Sequence, residues 1–457
     1  MKSLKPSPHL RRWNHLLLFA LFSCPLSLFF SANSWAERDF DQQKMQQYIT
    51  DLAKHNKAML SVVISEKGKV RFRQQTANRG EKNNFNRPYK IGSITKTFTS
   101  TLVFQLIEQG ELSLNTPLAT FYPTIPNADS ITIEHMLSHR SGIHNYIDNQ
   151  DFLSYYSSEQ SEAAMVARIQ SYPSEFSPNY QFQYSNANYL LLGYIIEKVT
   201  GKPYEQILKS HITDKLGLTA TKLCRDLAAC GFNTLSYYYS NYQWLPYNEW
   251  SPSVALGAGA MISTPTELSR FIRALFNGKL VSADSLKSMK SYSNQFSKGV
   301  FNYPIYYLSG YGHDGWIEGF HSRLVYFEQE DVSIAIHSNA LNSNFNDITV
   351  NLFGLYMGMS IELPTLHRTS IDITQNELKP YQGNFSSNSS EFTITLYIKD
   401  GQLMGQAMGQ DAIPLTPLSN HEFESQAYGI LLEFDKNTDH QEFTLHWGNF
   451  SYRYHKI

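Results

Sequence analysis

Cysteine is scarce in this 457-residue chain, which has only three. There is no Cys-x-x-Cys pair and no cluster of His and Cys at zinc-ligand spacing. A structural metal is therefore not expected, and no cofactor is. Charge is low as well: Asp, Glu, Lys and Arg make up 17% of the chain, for a formal net charge of −2. Without a basic patch, the electrostatic footprint of a nucleic-acid-binding protein is missing. Internal repeats and low-complexity tracts are absent too, which argues against solenoids and largely disordered architectures. A hydrophobic share of 42% and an aromatic share of 14% indicate a globular chain with room for more than one domain.

A long apolar run occurs at the very start. Lys2, Lys5, Arg11 and Arg12 precede it, and the small residues Ser34 and Ala36 follow. This order reads as a secretory signal peptide over residues 1–36, cleaved after Ala36. The run from Leu16 to Phe30 is shorter than the ~20 residues of a membrane helix, and Pro25 interrupts it. No stable membrane span is expected after signal removal. Cleavage removes four positive charges and no negative ones, which takes the net charge from −2 to −6, with 34 basic and 40 acidic residues. The mature protein is expected outside the cytoplasm, periplasmic or secreted. In an oxidising compartment Cys224 and Cys230 are placed to pair across a short loop, with two free thiols as the alternative.

The spacing of apolar residues predicts an amphipathic helix over 39–55. "MLSVVIS" and "VRFRQQT" predict strands joined through Glu66, Lys67 and Gly68. Ile94, Phe98, Leu102 and Leu106 recur at helical spacing, and Gly110 is a natural stop. Thr95, Thr97 and Thr99 are weak helix formers, so packing must hold this helix. "NYLLLGYIIEKVTG" predicts a buried helix ended by Gly201, "RLVYFEQ" and "VSIAIHSN" predict strands, and a helix is expected at about 345–358. Residues 361–376 read as a linker. Beyond it, strand periodicity and turns such as Lys399-Asp400-Gly401 predict a second, all-β domain over 377–457, a small barrel or curved sheet.

Chemistry concentrates around Ser93. A serine hydroxyl is a weak nucleophile and needs a base. Ser93 and Lys96 form the only Ser-x-x-Lys pair in the chain, a spacing that puts both on one helix face. A lysine can serve as base only where burial or positive neighbours lower its pKa. Tyr-Ser-Asn occurs at Tyr184, Tyr239 and Tyr292. The Tyr184 loop, with Asn186, feeds directly into a buried helix that can hold it rigidly. Tyr239 lies in the aromatic run from Tyr237 to Trp250, which packs as a hairpin or lines the cleft. His- or Lys-x-Gly triplets occur at Lys90, His313, Lys399 and His446, among other places. His446 and Lys399 fall in the all-β domain, and Lys90 is too close to Ser93 to come from an opposite wall. His313-Asp314-Gly315 remains, followed by Trp316 and a predicted strand, where the glycines allow backbone near a ligand. His135 and His139, four apart, are spaced like a metal pair.

"GELSLNTPLATFYP", "TIEHMLSHRSGI", "YSNANYLLLGYIIEKVTGKPY", "GAGAMISTPTELSRF" and "GHDGWIEGF" follow one another in the chain. With the Ser93 motif, they resemble the β-lactamase-related, penicillin-binding-protein family. That family unites class C β-lactamases, D-alanyl-D-alanine carboxypeptidases, D-aminopeptidases and related esterases. The resemblance implies a β-lactamase/transpeptidase-like α/β (α+β) domain over 37–360, an antiparallel sheet flanked by helices with a mainly helical subdomain. "LKPYQGNF" is similar to the opening of the lipocalin-like β domain that follows some members. Position by position, the resemblance implies Ser93 as the acyl-enzyme nucleophile and Lys96 as an aid to proton removal. Tyr184 is implied as general base and later acid. Asn186 is implied to orient Lys96 and to bind the substrate amide. His313 stands where β-lactamases more usually carry lysine. The N–H groups of Ser93 and Trp316 are implied as the oxyanion hole, with Gly315 beside them. His139 is implied as a structural loop residue rather than a metal ligand.

The substrate implied is a small peptide or ester, and the enzyme a D-stereospecific, carboxypeptidase-like hydrolase of cell-wall-type peptides. A carboxylesterase, a weak β-lactamase and a non-catalytic scaffold are the alternatives. One departure bears on the substrate. Members that bind a carboxylate usually carry Thr or Ser where Asp314 and Trp316 stand. An aspartate ~4 Å from a carboxylate costs on the order of a few kcal/mol. Arg323 offsets that charge if it points into the cleft. A neutral or amine-bearing acyl substrate is therefore expected.

Overall fold

The computed structural model describes residues 39–457 except 77–83, 241–242, 292–296, 365–369, 409, 426–427 and 448–449. The signal segment, the Tyr292 motif and part of the linker lie outside the described residues. The chain forms two compact units, Gln42–Leu341 and Asn342–Ile457, with residues 39–41 grouped with the second.

The first unit opens with helix α1 (Gln42–Lys54) and strands β1 (Ala58–Glu66) and β2 (Lys69–Gln75). Lys67 and Gly68 both have positive φ, at 52° and 77°. Two such residues make the tight turn whose twist suits an antiparallel hairpin. Next come β3 (Tyr89–Lys90), helix α2 (Thr95–Glu108) and helix α3 (Asn186–Thr200), with Gly201 as a left-handed cap at φ 64°. After β4 (Lys222–Leu223), the run of tyrosines forms a hairpin, β5 (Tyr237–Ser240) and β6 (Gln243–Pro246). Helix α4 (Leu256–Gly259), strand β7 (Met261–Ser263) and helix α5 (Pro265–Phe276) follow. Four strands finish the unit: β8 (Phe301–Ile305), β9 (Leu308–Ile317), β10 (Phe320–Phe327) and β11 (Val332–Leu341). The main sheet runs β2-β1-β11-β10-β9-β8 and is antiparallel along this path, with β5 bridged to β11. A small sheet, β3-β7-β4, ties the segment before Ser93 to the segment after α4.

Helix α2 is buried from Thr95 to Leu106 without a break. That explains a sequence poor in helix formers: packing on every side replaces propensity. Its threonine hydroxyls are paired rather than merely tolerated. Thr97 Oγ1 donates to Gly299 O at 2.8 Å, and Thr99 Oγ1 to Gly257 O at 2.7 Å. Phe98 stacks on Phe271 of α5 with ring centroids 3.6 Å apart.

The second unit holds helix α6 (Phe345–Tyr356), capped by the Asn344 side chain, and a closed barrel of eight antiparallel strands from Gly383–Ser387 to Phe450–Lys456. Phe385, Leu415, Phe423, Leu432, Phe434 and Phe443 fill its core. Closure removes the exposed edges that an open sheet of this size would present. Among the described residues, no helix is long and apolar enough to cross a membrane.

Candidate active site

Ser93 lies in a short 3₁₀ turn, Gly92–Ile94, that leads into α2. Gly92 takes φ +49°, and a Cβ there would sit 2.7 Å from the Trp316 backbone nitrogen. Glycine thus permits both the left-handed turn and the close approach of β9. Three residues on, Lys96 is fully buried. Its Nζ lies 2.9 Å from Ser93 Oγ, 2.8 Å from Asn186 Oδ1 and 2.7 Å from Ala258 O. Burial holds this lysine well below its ordinary pKa. The Tyr184 hydroxyl donates to Ser93 Oγ at 2.9 Å from another side. Ser93, Lys96, Tyr184 and Asn186 thus meet at one point, from two segments about ninety residues apart.

The supports of this cluster were less visible in the sequence. Asn186 can present its oxygen to Lys96 only if its amide is held one way round. Asn145 does this: its Oδ1 accepts from Asn186 N at 2.9 Å and from Asn186 Nδ2 at 3.3 Å. Asn145 is itself fastened, through Nδ2 to Asp148 Oδ2 at 2.9 Å. His139, at φ 54°, stacks on the Tyr184 ring with centroids 4.2 Å apart. Its Nδ1 accepts from Ser185 N, so the neutral ring carries its proton on Nε2. Burial first, and then the nearness of Lys96, holds His139 well below the usual histidine range. His135, its partner in sequence spacing, is used elsewhere, in a capping box with Thr132. Ala258 O arrives because α4 packs closely on α3. A Cβ on Gly257 would lie 2.8 Å from Tyr189 O and 3.0 Å from Gly193 Cα. The "GAGA" segment carried a signal of close backbone approach, but nothing in it pointed to lysine as the beneficiary.

Across from Ser93, β9 pairs with β8 only as far as Gly312. From His313 to Ile317 that edge is free of β8 and runs past the Ser93 turn. Side chains alternate along a strand, so Gly315 and His313 share one face. A Cβ on Gly315 would strike Ile91 O at 1.9 Å, and the Ser322 hydroxyl donates to that same oxygen at 2.8 Å. His313 Nδ1 lies 2.5 Å from Asp314 O, an acceptor, so Nδ1 carries the proton and Nε2 is bare. Burial, then Lys96, lowers His313 to about 4. Asp314 and Trp316 sit on the alternate face with their β10 partners. Arg323 grips Asp314 through two bonds of 2.7 Å, Nε to Oδ1 and Nη2 to Oδ2. Trp316 is 63% exposed, stacks on His321 with centroids 5.3 Å apart, and donates Nε1–H to Glu318 O at 2.8 Å. The repulsion expected of Asp314 is therefore offset by Arg323.

The other motif copies fall elsewhere. Tyr239 packs on Trp244 within the β5–β6 hairpin. Lys399 and His446 belong to barrel strands. Cys224 and Cys230 are joined by a disulfide. Among the described residues, no group of three or more His, Cys, Asp or Glu is placed to hold a metal ion.

Known proteins are similar to this chain in sequence and in fold. PbpX of Bacillus subtilis (strain 168) is 26% identical over 309 residues, 66% of this chain and 74% of the relative. The teichoic acid D-alanine hydrolase of Staphylococcus aureus is 27% identical over 257 residues, 53% of this chain and 62% of that protein. Among solved structures, a D-stereospecific amidohydrolase from Streptomyces sp. aligns with TM-score 0.61 and 25% identity, over 70% of this chain and 100% of that one. An octameric penicillin-binding protein homologue from Pyrococcus abyssi shows the same fold over 91% of this chain and 100% of its own, with TM-score 0.64 and 22% identity. Residues 42–355 match the family model described as Beta-lactamase, and the chain belongs to that family of serine hydrolases.

Proposed function

We propose that this protein is an exported acyl hydrolase in which Ser93 forms an acyl-enzyme, acting on D-amino-acid-type amides or small cell-wall-type peptides. The observation that carries the reading is the hydrogen bonding of Lys96 Nζ. Two of its three partners, Asn186 Oδ1 and Ala258 O, can only accept. The neutral amine gives its two N–H bonds to them, and its lone pair is left facing Ser93 Oγ. Burial makes that neutral form accessible. The Ser93 proton passes to Lys96 as Oγ attacks the acyl carbon. Tyr184, whose hydroxyl bonds Oγ from the other side, gives its own proton to the leaving group and takes one back from Lys96. The oxygen of the tetrahedral intermediate is stabilised by the N–H groups of Ser93 and Trp316. Water then attacks the acyl-enzyme and the same groups act in reverse.

Support for the substrate class comes from two sides. Relatives are named for D-alanine hydrolysis and D-stereospecific amide hydrolysis. The Asp314–Arg323 pair is neutral as a unit and leaves Arg323 engaged, so it offers no free cation to a substrate carboxylate. Export is supported by the signal segment and by the Cys224–Cys230 bond, since disulfides persist in oxidising compartments. The test is a panel of D- and L-amino-acid amides, p-nitrophenyl esters and a chromogenic cephalosporin, run on wild type and Ser93→Ala. Turnover of D-amides or esters that Ser93→Ala abolishes is expected. Fast cephalosporin turnover would refute the substrate class, and unchanged activity in Ser93→Ala would refute the nucleophile.

A further inference from the structure

The two donors assigned to the oxyanion belong to different segments, the Ser93 turn and strand β9. Both must point at one oxygen about 3 Å away, and an error near 1 Å costs on the order of a hundredfold in rate. Something has to set the gap between them. Lys90 lies three residues before Ser93, and Glu318 lies two residues after Trp316. They meet in the interior: Lys90 Nζ is 2.7 Å from Glu318 Oε1, with side-chain exposures of 4% and 0%. The same Glu318 oxygen accepts the Trp250 N–H at 2.6 Å. Glu249, the neighbour of Trp250, also pairs with Lys90.

This cluster is an odd choice for stability. A buried ion pair is often no more stabilising than apolar side chains of the same volume. Here two carboxylates share one ammonium, and burial, then the charge of Glu249, pushes Glu318 up to about 7. Glu318 also takes φ 48° in the β9–β10 turn, a conformation that a Gly or Asn would adopt more cheaply. The cluster is well suited to registry instead. It joins the strand entering the Ser93 turn to the strand leaving Trp316, while Glu318 O holds the Trp316 indole.

We propose that Glu318 and Lys90 are positioning residues that set the spacing of the Ser93 and Trp316 N–H groups, and so the strength of the oxyanion site. The proposal rests on the hydrolase reading above. It predicts that Glu318→Gln, which keeps an acceptor for Trp250 N–H, lowers kcat at least tenfold while KM changes less than threefold. Affinity for an alkylboronic acid, which forms a tetrahedral adduct on the nucleophile, should fall by the same factor as kcat/KM. Lys90→Met combined with Glu318→Gln removes the pair together and should show the same loss. It serves as the second variant should the single one not fold. The readouts are p-nitrophenyl ester kinetics, boronate inhibition and mass-spectrometric labelling of Ser93 by a fluorophosphonate. Labelling of Ser93 with kcat and boronate affinity within threefold of wild type in the folded variants would overturn this inference alone. Failure of the wild type to label at Ser93 would overturn the hydrolase reading and this inference with it.

Discussion

Tyr184→Phe separates two roles that the geometry allows for the tyrosine hydroxyl. The substitution leaves the ring in place, stacked on His139 at 4.2 Å and facing Lys96 Nζ at 4.9 Å. It deletes the 2.9 Å bond to Ser93 Oγ. If that bond only steadies the serine, its loss costs about 1 kcal/mol, less than a tenfold change in rate. If Tyr184 carries the proton to the leaving group, the loss is ~100- to 10,000-fold. The leaving group amplifies the contrast. An amine must be protonated to depart, whereas p-nitrophenolate departs as an anion. Amide turnover should therefore fall at least ~100-fold, and ester acylation about tenfold less steeply. Steady-state amide hydrolysis and the ester burst, measured on the same preparation, give both numbers. Melting should shift little, because the lost hydroxyl is worth at most about 1 kcal/mol. Amide turnover within tenfold of wild type would refute proton transfer through Tyr184 and leave Lys96 as the sole proton carrier.

Three further outcomes are expected. Asn145→Leu should free the Asn186 amide to turn, lowering kcat/KM by about 10- to 100-fold and stability by ~1–3 kcal/mol, with partial recovery in Asn145→Asp, which keeps the acceptor. His313 and His337 are buried, and burial is the chief cause that lowers them to about 4 and about 3. Their contribution to stability is complete above the unfolded histidine pKa near 6.5 and is lost as pH falls toward those lowered values. Each should cost on the order of 2 kcal/mol between pH 7.5 and pH 5. Urea unfolding at the two pH values should show this, and His337→Leu should remove its share of the difference. Replacing Cys224 and Cys230 with serine should lower stability by ~2 kcal/mol, the scale for closing a short loop, read as a lower melting temperature in the absence of reductant.

Local signals carried far in this chain. The helices at Gln42–Lys54 and Asn186–Thr200 and the pair Ala58–Glu66 and Lys69–Gln75 emerge with boundaries close to those the periodicity predicts. Ser93 is a partial exception: the helical spacing suggests a helix start, and the chain makes a 3₁₀ turn before Thr95. Gly92 explains it, since its left-handed φ has to be resolved before regular helix begins. The i, i+3 relation survives, because a 3₁₀ turn aligns residues three apart even more closely.

What the sequence by itself determined is the grouping of the candidate side chains. Ser93 and Lys96 are neighbours by spacing alone, and Tyr184 and Asn186 are tied to one buried helix. Short-range geometry is nearly independent of the rest of the chain, so such pairs can be read directly. Tertiary structure decided everything that depends on which distant atoms share an environment. It brought Ala258 O and Asn186 Oδ1 to Lys96 as acceptors. It set Arg323 on Asp314 through strand register, which cancels a charge that the sequence alone leaves exposed. It buried Lys90 against Glu318 across 228 residues of chain. Hydrogen-bond direction and desolvation are properties of the packed interior, and no spacing in the sequence encodes them.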